Sequence, residues 1–153
     1  DEYLQITFPE DIFKAMKYTL MLPGKRLRPV MCLETARILG CDIKKVMPAA
    51  CAIEMLHVQS LIHDDLPCMD NDDFRRGKPS NHKMFGEANA VLAGDALLTF
   101  APQLIIEKSK DLSMTQIVRI LHEYTKFAGA YGRIDKNLTI AVMKASEMTV
   151  RRE

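Results

Sequence analysis

Residues 54–85 of the 153-residue chain, EMLHVQSLIHDDLPCMDNDDFRRGKPSNHKMF, place an acidic cluster directly before a basic one. The acids are Asp64, Asp65, Asp70, Asp72 and Asp73, and the bases are Arg75, Arg76 and Lys78. Because carboxylates at this density repel one another, the cluster favours a bound cation. An acidic run is commonly a solvated loop. Here an apolar segment precedes it and basic residues follow, which indicates a cation site instead.

The apolar segment before the cluster predicts a helix that positions the first acid. Residues 47–63 are rich in Ala, Met, Leu and Ile, contain no glycine, and have their only proline near the start. Helical residues seven apart differ by roughly 700°, about 20° short of two turns, so His57 and Asp64 share a stripe. Pro67 ends or kinks the helix, which would let Asp70 lie near Asp64.

The ligand types and their basic neighbours indicate both the ion and the substrate. Carboxylate oxygens without a nearby cysteine pair favour Mg²⁺ over Zn²⁺, and Mg²⁺ usually takes one or two protein carboxylates plus water and phosphate oxygens. Guanidinium groups bind phosphate oxygens in pairs. The stretch therefore predicts a magnesium site that binds a diphosphate.

The rest of the chain predicts an all-α fold in one domain, residues 1–153. Apolar residues recur at helical spacing, while no segment alternates apolar and polar residues and no Asn-Gly or Asp-Gly hairpin turn occurs. The length suits a single domain with a real core. The predicted helices cover residues 10–22, 30–39, 47–63, 87–107, 114–131 and 136–151.

Single residues predict how these helices begin, end and pack. Pro29 is expected to be the first residue of the second helix, and Asp42 is expected to cap the third. Pro102 is expected to kink or divide the fifth helix, where Gly94 would let another helix approach closely. Asp95 lies beside apolar neighbours in that helix and is expected to be hydrogen-bonded structure.

Composition excludes several classes of function. With 27% charged residues and a net charge of +1, the chain has no general field to hold nucleic acid or an anionic membrane. No apolar run approaches the roughly 18 residues of a membrane span, and no signal peptide is visible. The cysteines show no CxxC spacing, so we expect free thiols and a reducing compartment. They are Cys32, Cys41, Cys51 and Cys68.

Three motifs occur in one order: GKRLRP at residues 24–29, DDLPCMD at 64–70 and RRGKP at 75–79. In this the chain resembles the trans-isoprenyl diphosphate synthases, and within them the geranylgeranyl diphosphate synthases, over about residues 16–131. The resemblance implies a helical bundle of the isoprenoid synthase type, partial in this chain. It also implies condensation of isopentenyl diphosphate with an allylic diphosphate (dimethylallyl, geranyl or farnesyl) to a C15–C20 product.

The resemblance also implies roles for single residues. Asp64 and Asp70 would bind Mg²⁺ on the allylic diphosphate, with Asp65 in support, and Arg75 would contact the same diphosphate. Lys25 and Arg28, three residues apart, are expected to point together. The residues implied to hold isopentenyl diphosphate are Lys25, Arg28, His57 and Arg76.

Two further stretches of the sequence differ in how closely they follow this family: the positions that set product length and the residues after Gly132. The positions four and five before the first aspartate, Ser60 and Gln59, are not aromatic, so nothing bulky blocks a C20 product. After Gly132 the family continues into a GGQ turn, a Lys-Thr pair and a second aspartate-rich motif, whereas residues 133–153 diverge. The chain thus resembles the N-terminal half of such a synthase.

Several alternatives stay open. The chain could act as a homodimeric synthase in the cytoplasm or plastid stroma, or as a non-catalytic or regulatory subunit that pairs with an intact synthase. His63-Asp64 also matches the dyad of HD-type metal phosphohydrolases, although that class needs more metal-binding histidines and leaves GKRLRP and RRGKP unexplained. Terpene cyclases share an aspartate-rich clamp but need no isopentenyl diphosphate site.

Overall fold

The structure is a computed structural model that describes residues 10–129, and these are mostly helical. The elements are α1 (Glu10–Met21), α2 (Leu27–Ile38), α3 (Ile43–Asp64), β1 (Phe74–Arg75), β2 (Lys78–Pro79), α4 (Asn81–Phe85), α5 (Glu87–Lys108) and α6 (Met114–Ala128). The all-α prediction is confirmed, with one short hairpin as the exception. The predicted last helix, the divergent tail and Tyr131 lie outside the described residues.

The hairpin that the sequence did not predict lies inside the basic cluster. β1 and β2 pair antiparallel, Phe74 with Pro79 and Arg75 with Lys78. Arg76 and Gly77 connect them with φ values of 54° and 77°. A two-residue type I′ turn requires positive φ at both positions, and Asn-Gly is its usual sequence. Because the first of these two residues is arginine instead of asparagine, the sequence did not indicate a hairpin turn here.

The described residues form two compact units. The first comprises residues 10–25 and 55–100, and the second comprises residues 26–54 and 101–129, so α3 and α5 each contribute to both. The expectation of one domain stays a prediction. Buried apolar side chains of the first unit include Met16, Leu56, Val58, Ile62 and Leu97. Those of the second include Ile53, Leu104, Ile105, Ile117, Ile120 and Tyr124.

Helix ends agree with the sequence at most points. Asp42 caps α3 as predicted, because its Oδ1 accepts a hydrogen bond from the Lys44 N–H at 2.9 Å. Gly40, just past α2, has a φ of 74°, the left-handed conformation that favours glycine after a helix. Pro29 is the third residue of α2 and not the first, since Leu27 already begins the helix.

Helix α5 continues through its proline. Pro102 lies inside it without dividing it, and the alternative expectation of a kink stays a prediction: proline removes one backbone hydrogen bond, and the neighbouring Ala101 and Leu104 are buried. The helix is also long and apolar enough to cross a membrane, with a mean hydropathy of 1.4 over 18 residues, so the expectation that no run reached this length is wrong. Core helices pass the same test of length and composition, so this property does not assign α5 to a membrane.

Helix α6 starts with a reciprocal cap. The Ser113 side chain accepts a hydrogen bond from the Gln116 N–H at 3.4 Å, and Gln116 Oε1 accepts one from the Ser113 N–H at 2.6 Å. Such a capping box satisfies two donors that a helix start leaves unpaired. Along α6, Ile117, Ile120 and Tyr124 are buried, which confirms the predicted apolar stripe over this part of the chain.

Replacing the cap should weaken α6. We expect Ser113→Ala to lower the free energy of unfolding by about 1 kcal/mol, because the Gln116 N–H loses its acceptor. Ser113→Thr keeps a hydroxyl and should retain most of the stability. Urea unfolding of both variants measures the difference, and equal losses in the two would contradict the capping role.

Candidate functional site

The first and last acids of DDLPCMD come together at the end of α3. Asp64 is the last residue of the helix, and its carbonyl oxygen accepts a hydrogen bond from the Asp70 N–H at 2.8 Å. The Asn71 N–H donates to the Leu66 carbonyl at 3.1 Å, which closes the same turn. The chain after α3 therefore folds back and brings Asp70 to Asp64, as the sequence predicted.

The charges in this turn favour a cation. Burial raises the pKa of Asp64, and the Asp70 and Asp65 carboxylates raise it further, while Arg75 and His63 oppose the shift. A raised pKa means that the ionised form is disfavoured where it stands. A positive ion between Asp64 and Asp70 would relieve that cost.

Asp65 is held by an ion pair. Its side chain is 1% exposed, and its two oxygens accept hydrogen bonds from Arg75 Nε at 2.9 and 3.1 Å. Arg75 Nη2 donates to Asp65 as well, and to Asp72 Oδ2 at 3.1 Å. The hydrogen bond with Asp65 raises the pKa of Arg75, to which Asp64 also contributes. Asp65 therefore holds a guanidinium beside the acidic pair, a contact that the sequence did not reveal.

The second arginine of RRGKP contacts the turn that contains GKRLRP. Arg76 Nη1 donates a hydrogen bond to the Leu22 carbonyl at 3.2 Å. A Cβ atom at Gly24 would lie 2.6 Å from Cζ and from Nη1 of Arg76, so this approach requires glycine. Lys25 is exposed and follows Gly24 directly. A motif some 50 residues away in sequence thus brings its second arginine against the backbone of the turn that carries Lys25.

The other residues implied to hold isopentenyl diphosphate are placed differently. His57 lies on α3 in the first unit and is partly buried. Arg28 is the second residue of α2 and belongs to the second unit, so its expected alignment with Lys25 stays a prediction. Sequence reasoning missed Arg26, which has a φ of 47° and donates to the buried Glu54 at 2.5 Å.

His63 is engaged through both ring nitrogens. Nδ1 lies 3.0 Å from Gln59 Nε2, and Nε2 lies 3.2 Å from the Val91 carbonyl of α5. Both ring nitrogens therefore have a polar partner within hydrogen-bond distance. The Asp95 carboxylate is largely exposed and 3.8 Å from Nε2, which differs from the hydrogen-bonded acid expected there. The HD-type metal dyad is not supported, because neither nitrogen is left for a metal.

Gly94 makes the room for that ring. A Cβ at Gly94 would lie 2.1 Å from His63 Nε2, so the predicted close approach of another helix is confirmed, and the helix is α3. Sequence reasoning missed that Gly24 has the same use for Arg76. The available signal was the glycine that opens GKRLRP, but its contact partner cannot be named from the sequence alone.

Two carboxylates fit a magnesium ion only in part. Within residues 10–129, no group of three or more His, Cys, Asp or Glu side chains is arranged to hold a metal by itself. Mg²⁺ needs fewer protein ligands, because water and phosphate oxygens complete its shell. The charge at Asp64 and Asp70 suits that chemistry, and their assignment as ligands stays a prediction.

The sequence model of the family described as polyprenyl synthetase matches residues 9–132. The chain belongs to the polyprenyl synthetase family. The predicted resemblance is therefore confirmed, and the match includes all three motifs and every predicted site residue.

Relatives of this polyprenyl synthetase chain agree in kind. It is 52% identical over 126 residues to a chloroplastic geranylgeranyl pyrophosphate synthase of Catharanthus roseus, and 54% identical over 127 residues to a farnesyl diphosphate synthase of Geobacillus stearothermophilus. Each match covers 82% of this chain but only 35% and 43% of the relative. The chain thus spans less than half the length of these curated relatives.

A solved structure supports the fold. The crystal structure of an FPP/GFPP synthase of Zymomonas mobilis superposes with a TM-score of 0.83 at 38% identity, covering 87% of this chain and 49% of that one. The expected fold of the isoprenoid synthase type is confirmed by this likeness.

Adding a methyl group at Gly94 should strain the contact between α3 and α5. We expect Gly94→Ala to lower the free energy of unfolding by roughly 1–3 kcal/mol, because the new Cβ overlaps the His63 ring. The double variant Gly94→Ala with His63→Ala should lose less than the sum of the single losses. Denaturant titrations of the four proteins test this, and additive losses would rule out the overlap.

The charge at Asp64 predicts a pH dependence. Because the pKa of Asp64 is raised in the folded state, its contribution to stability is intact below the unfolded pKa and is lost as pH rises through the folded pKa. Asp64→Asn removes this loss. The variant should match the wild type in acid, apart from a constant offset, and become relatively more stable as pH increases.

The measurement is the difference in unfolding free energy between Asp64→Asn and the wild type at a series of pH values without divalent cations. Asp111→Asn, an exposed acid in the turn between α5 and α6, serves as the matched control. If the unfolding free energy of Asp64→Asn falls relative to that of the wild type as pH rises, the assigned direction is contradicted.

Proposed function

We propose that this chain is the diphosphate-binding part of a Mg²⁺-dependent prenyltransferase. The enzyme would condense isopentenyl diphosphate with an allylic diphosphate into a short-chain isoprenyl diphosphate of C15–C20, such as geranylgeranyl diphosphate. The observation that carries the proposal is the turn in which the Asp70 N–H binds the Asp64 carbonyl, because it gathers two mutually repelling carboxylates at a helix end.

The acidic pair and Arg75 suit the allylic diphosphate. Asp64 and Asp70 would hold Mg²⁺, which when bound supplies positive charge to the departing diphosphate. Arg75 is fixed by Asp65 and lies near enough to Asp64 to interact with it electrostatically. A guanidinium fixed before the ligand arrives stabilises the negative charge that develops on the leaving group without reorganising.

The cations of the first unit suit the second substrate. Arg76 lies against Gly24 beside Lys25, and His57 occupies the same unit on α3. These residues would hold isopentenyl diphosphate, and the family resemblance implies the same role for Arg28 of α2. Arginine and lysine are the usual protein partners of phosphate oxygens.

Residues near the end of α3 bear on product length. Ser60 Oγ donates to the His57 carbonyl at 2.8 Å, and Gln59 contacts His63, so both polar groups are used within the protein. Neither side chain is aromatic, and both are partly buried. We propose a C20 product within the C15–C20 range for this reason.

A second candidate is a non-catalytic or regulatory subunit that keeps diphosphate binding. The sequence after Gly132, which differs from the family pattern, favours it. Such a chain would work as a heterodimer with an intact synthase, whereas the catalytic form would work as a homodimer. The free thiols of all four cysteines, with burial raising the pKa of Cys32 to about 12, suit a reducing compartment such as the cytoplasm or plastid stroma.

Ligand binding tests the common part of both candidates. We expect farnesyl diphosphate to bind in the presence of Mg²⁺, and Asp64→Ala to weaken that binding at least tenfold, or about 1.4 kcal/mol, because half of the carboxylate pair is lost. Isothermal titration calorimetry with and without Mg²⁺ measures the effect, with Asp111→Ala as the control. Unchanged affinity in Asp64→Ala would remove the metal assignment.

Turnover separates the two candidates. The protein is incubated with Mg²⁺, isopentenyl diphosphate and labelled farnesyl diphosphate, alone and together with an intact synthase of the family. Labelled product from the protein alone supports the enzyme. No product from the protein alone, with more product from the mixture than from the intact synthase by itself, supports the subunit.

A further inference from the structure

Asn81 attaches the segment after the hairpin to α1. It is the first residue of α4 and is 1% exposed. Its Nδ2 donates hydrogen bonds to the Ala15 carbonyl and to Thr19 Oγ1, both at 2.8 Å. A carbonyl oxygen can only accept, so the amide NH₂ and not the amide oxygen must face Ala15. Neither Asn81 nor Thr19 belongs to the three motifs.

A second contact holds the same segment. The Tyr18 hydroxyl donates to the Pro79 carbonyl at 2.9 Å, and the Tyr18 ring packs edge-on against Phe85 with centroids 5.4 Å apart. Together with Asn81, this fixes residues 79–85 on α1 at several points. Each buried hydrogen bond is worth roughly 0.5–1.5 kcal/mol net, and more is lost when one partner is left unpaired.

The two attached segments lead directly to the cations. Thr19 stands three residues before Leu22, whose carbonyl receives Arg76, and Asn81 stands five residues after Arg76. The contacts form a closed path: the chain leads from α1 to Leu22, the Leu22 carbonyl binds Arg76, the hairpin leads from Arg76 to Asn81, and Asn81 binds α1 again. A shift of α4 on α1 would therefore move the guanidinium of Arg76 against the turn that carries Lys25.

We propose that Asn81 is a positioning residue for Lys25 and Arg76, and through them for the binding of isopentenyl diphosphate. This inference rests on the proposed function. Arg76 and Lys25 are both cationic, so an approach of the two side chains is unfavourable until a diphosphate lies between them. The Asn81 bonds to α1 hold Arg76 at this turn in the absence of ligand. The allylic acids Asp64 and Asp70 lie outside the closed path, and Arg75 is fixed separately by its hydrogen bonds to Asp65.

The side-chain chemistry at both positions is specific. Aspartate at position 81 would turn an acceptor toward the Ala15 carbonyl, and alanine would leave the buried Thr19 hydroxyl without this donor. At position 19, valine has the shape of threonine but no acceptor, whereas serine keeps the hydroxyl. The pair Thr19→Val and Thr19→Ser therefore isolates the hydrogen bond from the packing.

The test compares the two substrates by calorimetry on the intact protein. Asn81→Ala should weaken isopentenyl diphosphate binding about tenfold and leave Mg²⁺-dependent farnesyl diphosphate binding within about twofold. Thr19→Val should change affinity in the same direction by less, and Thr19→Ser should recover most of it. Thr99→Val on the exposed face of α5 is the matched control.

A purely structural role would weaken both ligands together, and that result would overturn the inference. So would unchanged isopentenyl diphosphate binding in folded Asn81→Ala. If that variant does not fold, the Thr19 pair decides in the same way. Arg76→Ala separates this inference from the proposed function: if it weakens isopentenyl diphosphate binding while the Asn81 and Thr19 variants do not, the inference alone fails. If Arg76→Ala has no effect, the binding assignment itself is wrong.

Discussion

The buried ion pair between Asp65 and Arg75 is the interaction on which the geometry of the site depends. A carboxylate that is 1% exposed needs a partner, because an unpaired charge inside a protein is very costly. Arg75 meets this need through several hydrogen bonds, and its position in the hairpin is thereby tied to the end of α3. Since Asp64 precedes Asp65 directly, the same pair also fixes the position of Asp64, the first acid of the candidate metal site.

Near this ion pair the site contains two groups of like charge, one acidic and one basic. Asp64 and Asp70 are held together by a backbone hydrogen bond although their carboxylates repel, and Arg76 is held against Gly24, the residue before Lys25, by its hydrogen bond to the Leu22 carbonyl. Neither grouping is favourable in isolation. Backbone contacts and buried hydrogen bonds maintain both groupings. A ligand of opposite charge would therefore be attracted to each of them.

The sequence predicted those parts of the molecule that depend on local pattern. Apolar periodicity located α1, α3, α5 and α6 to within a few residues, Asp42 was identified as a cap, and Pro67 placed the turn that returns Asp70 to Asp64. What failed depended on long-range contacts or rare backbone conformations. The Arg76-Gly77 turn lacks the usual residues, and Pro102 did not divide α5, which was one of its two expected effects.

Tertiary contacts were beyond the sequence for a simple reason. The partners of Asp65, His63 and Asn81 lie 10, 28 and 66 residues away, and no periodicity connects positions at such separations. The motifs indicated which charges matter. Only the folded chain shows which neutral groups hold them.

The positive φ of Arg76 has a consequence for how a ligand would be received. A bulky residue rarely adopts this backbone conformation, because its Cβ crowds the neighbouring carbonyl oxygen. Holding it costs on the order of 1–3 kcal/mol, and that cost is met when the hairpin folds. The guanidinium on this backbone is itself held by its hydrogen bond to the Leu22 carbonyl, so an arriving anion would immobilise fewer side-chain torsions than it would at a freely rotating arginine.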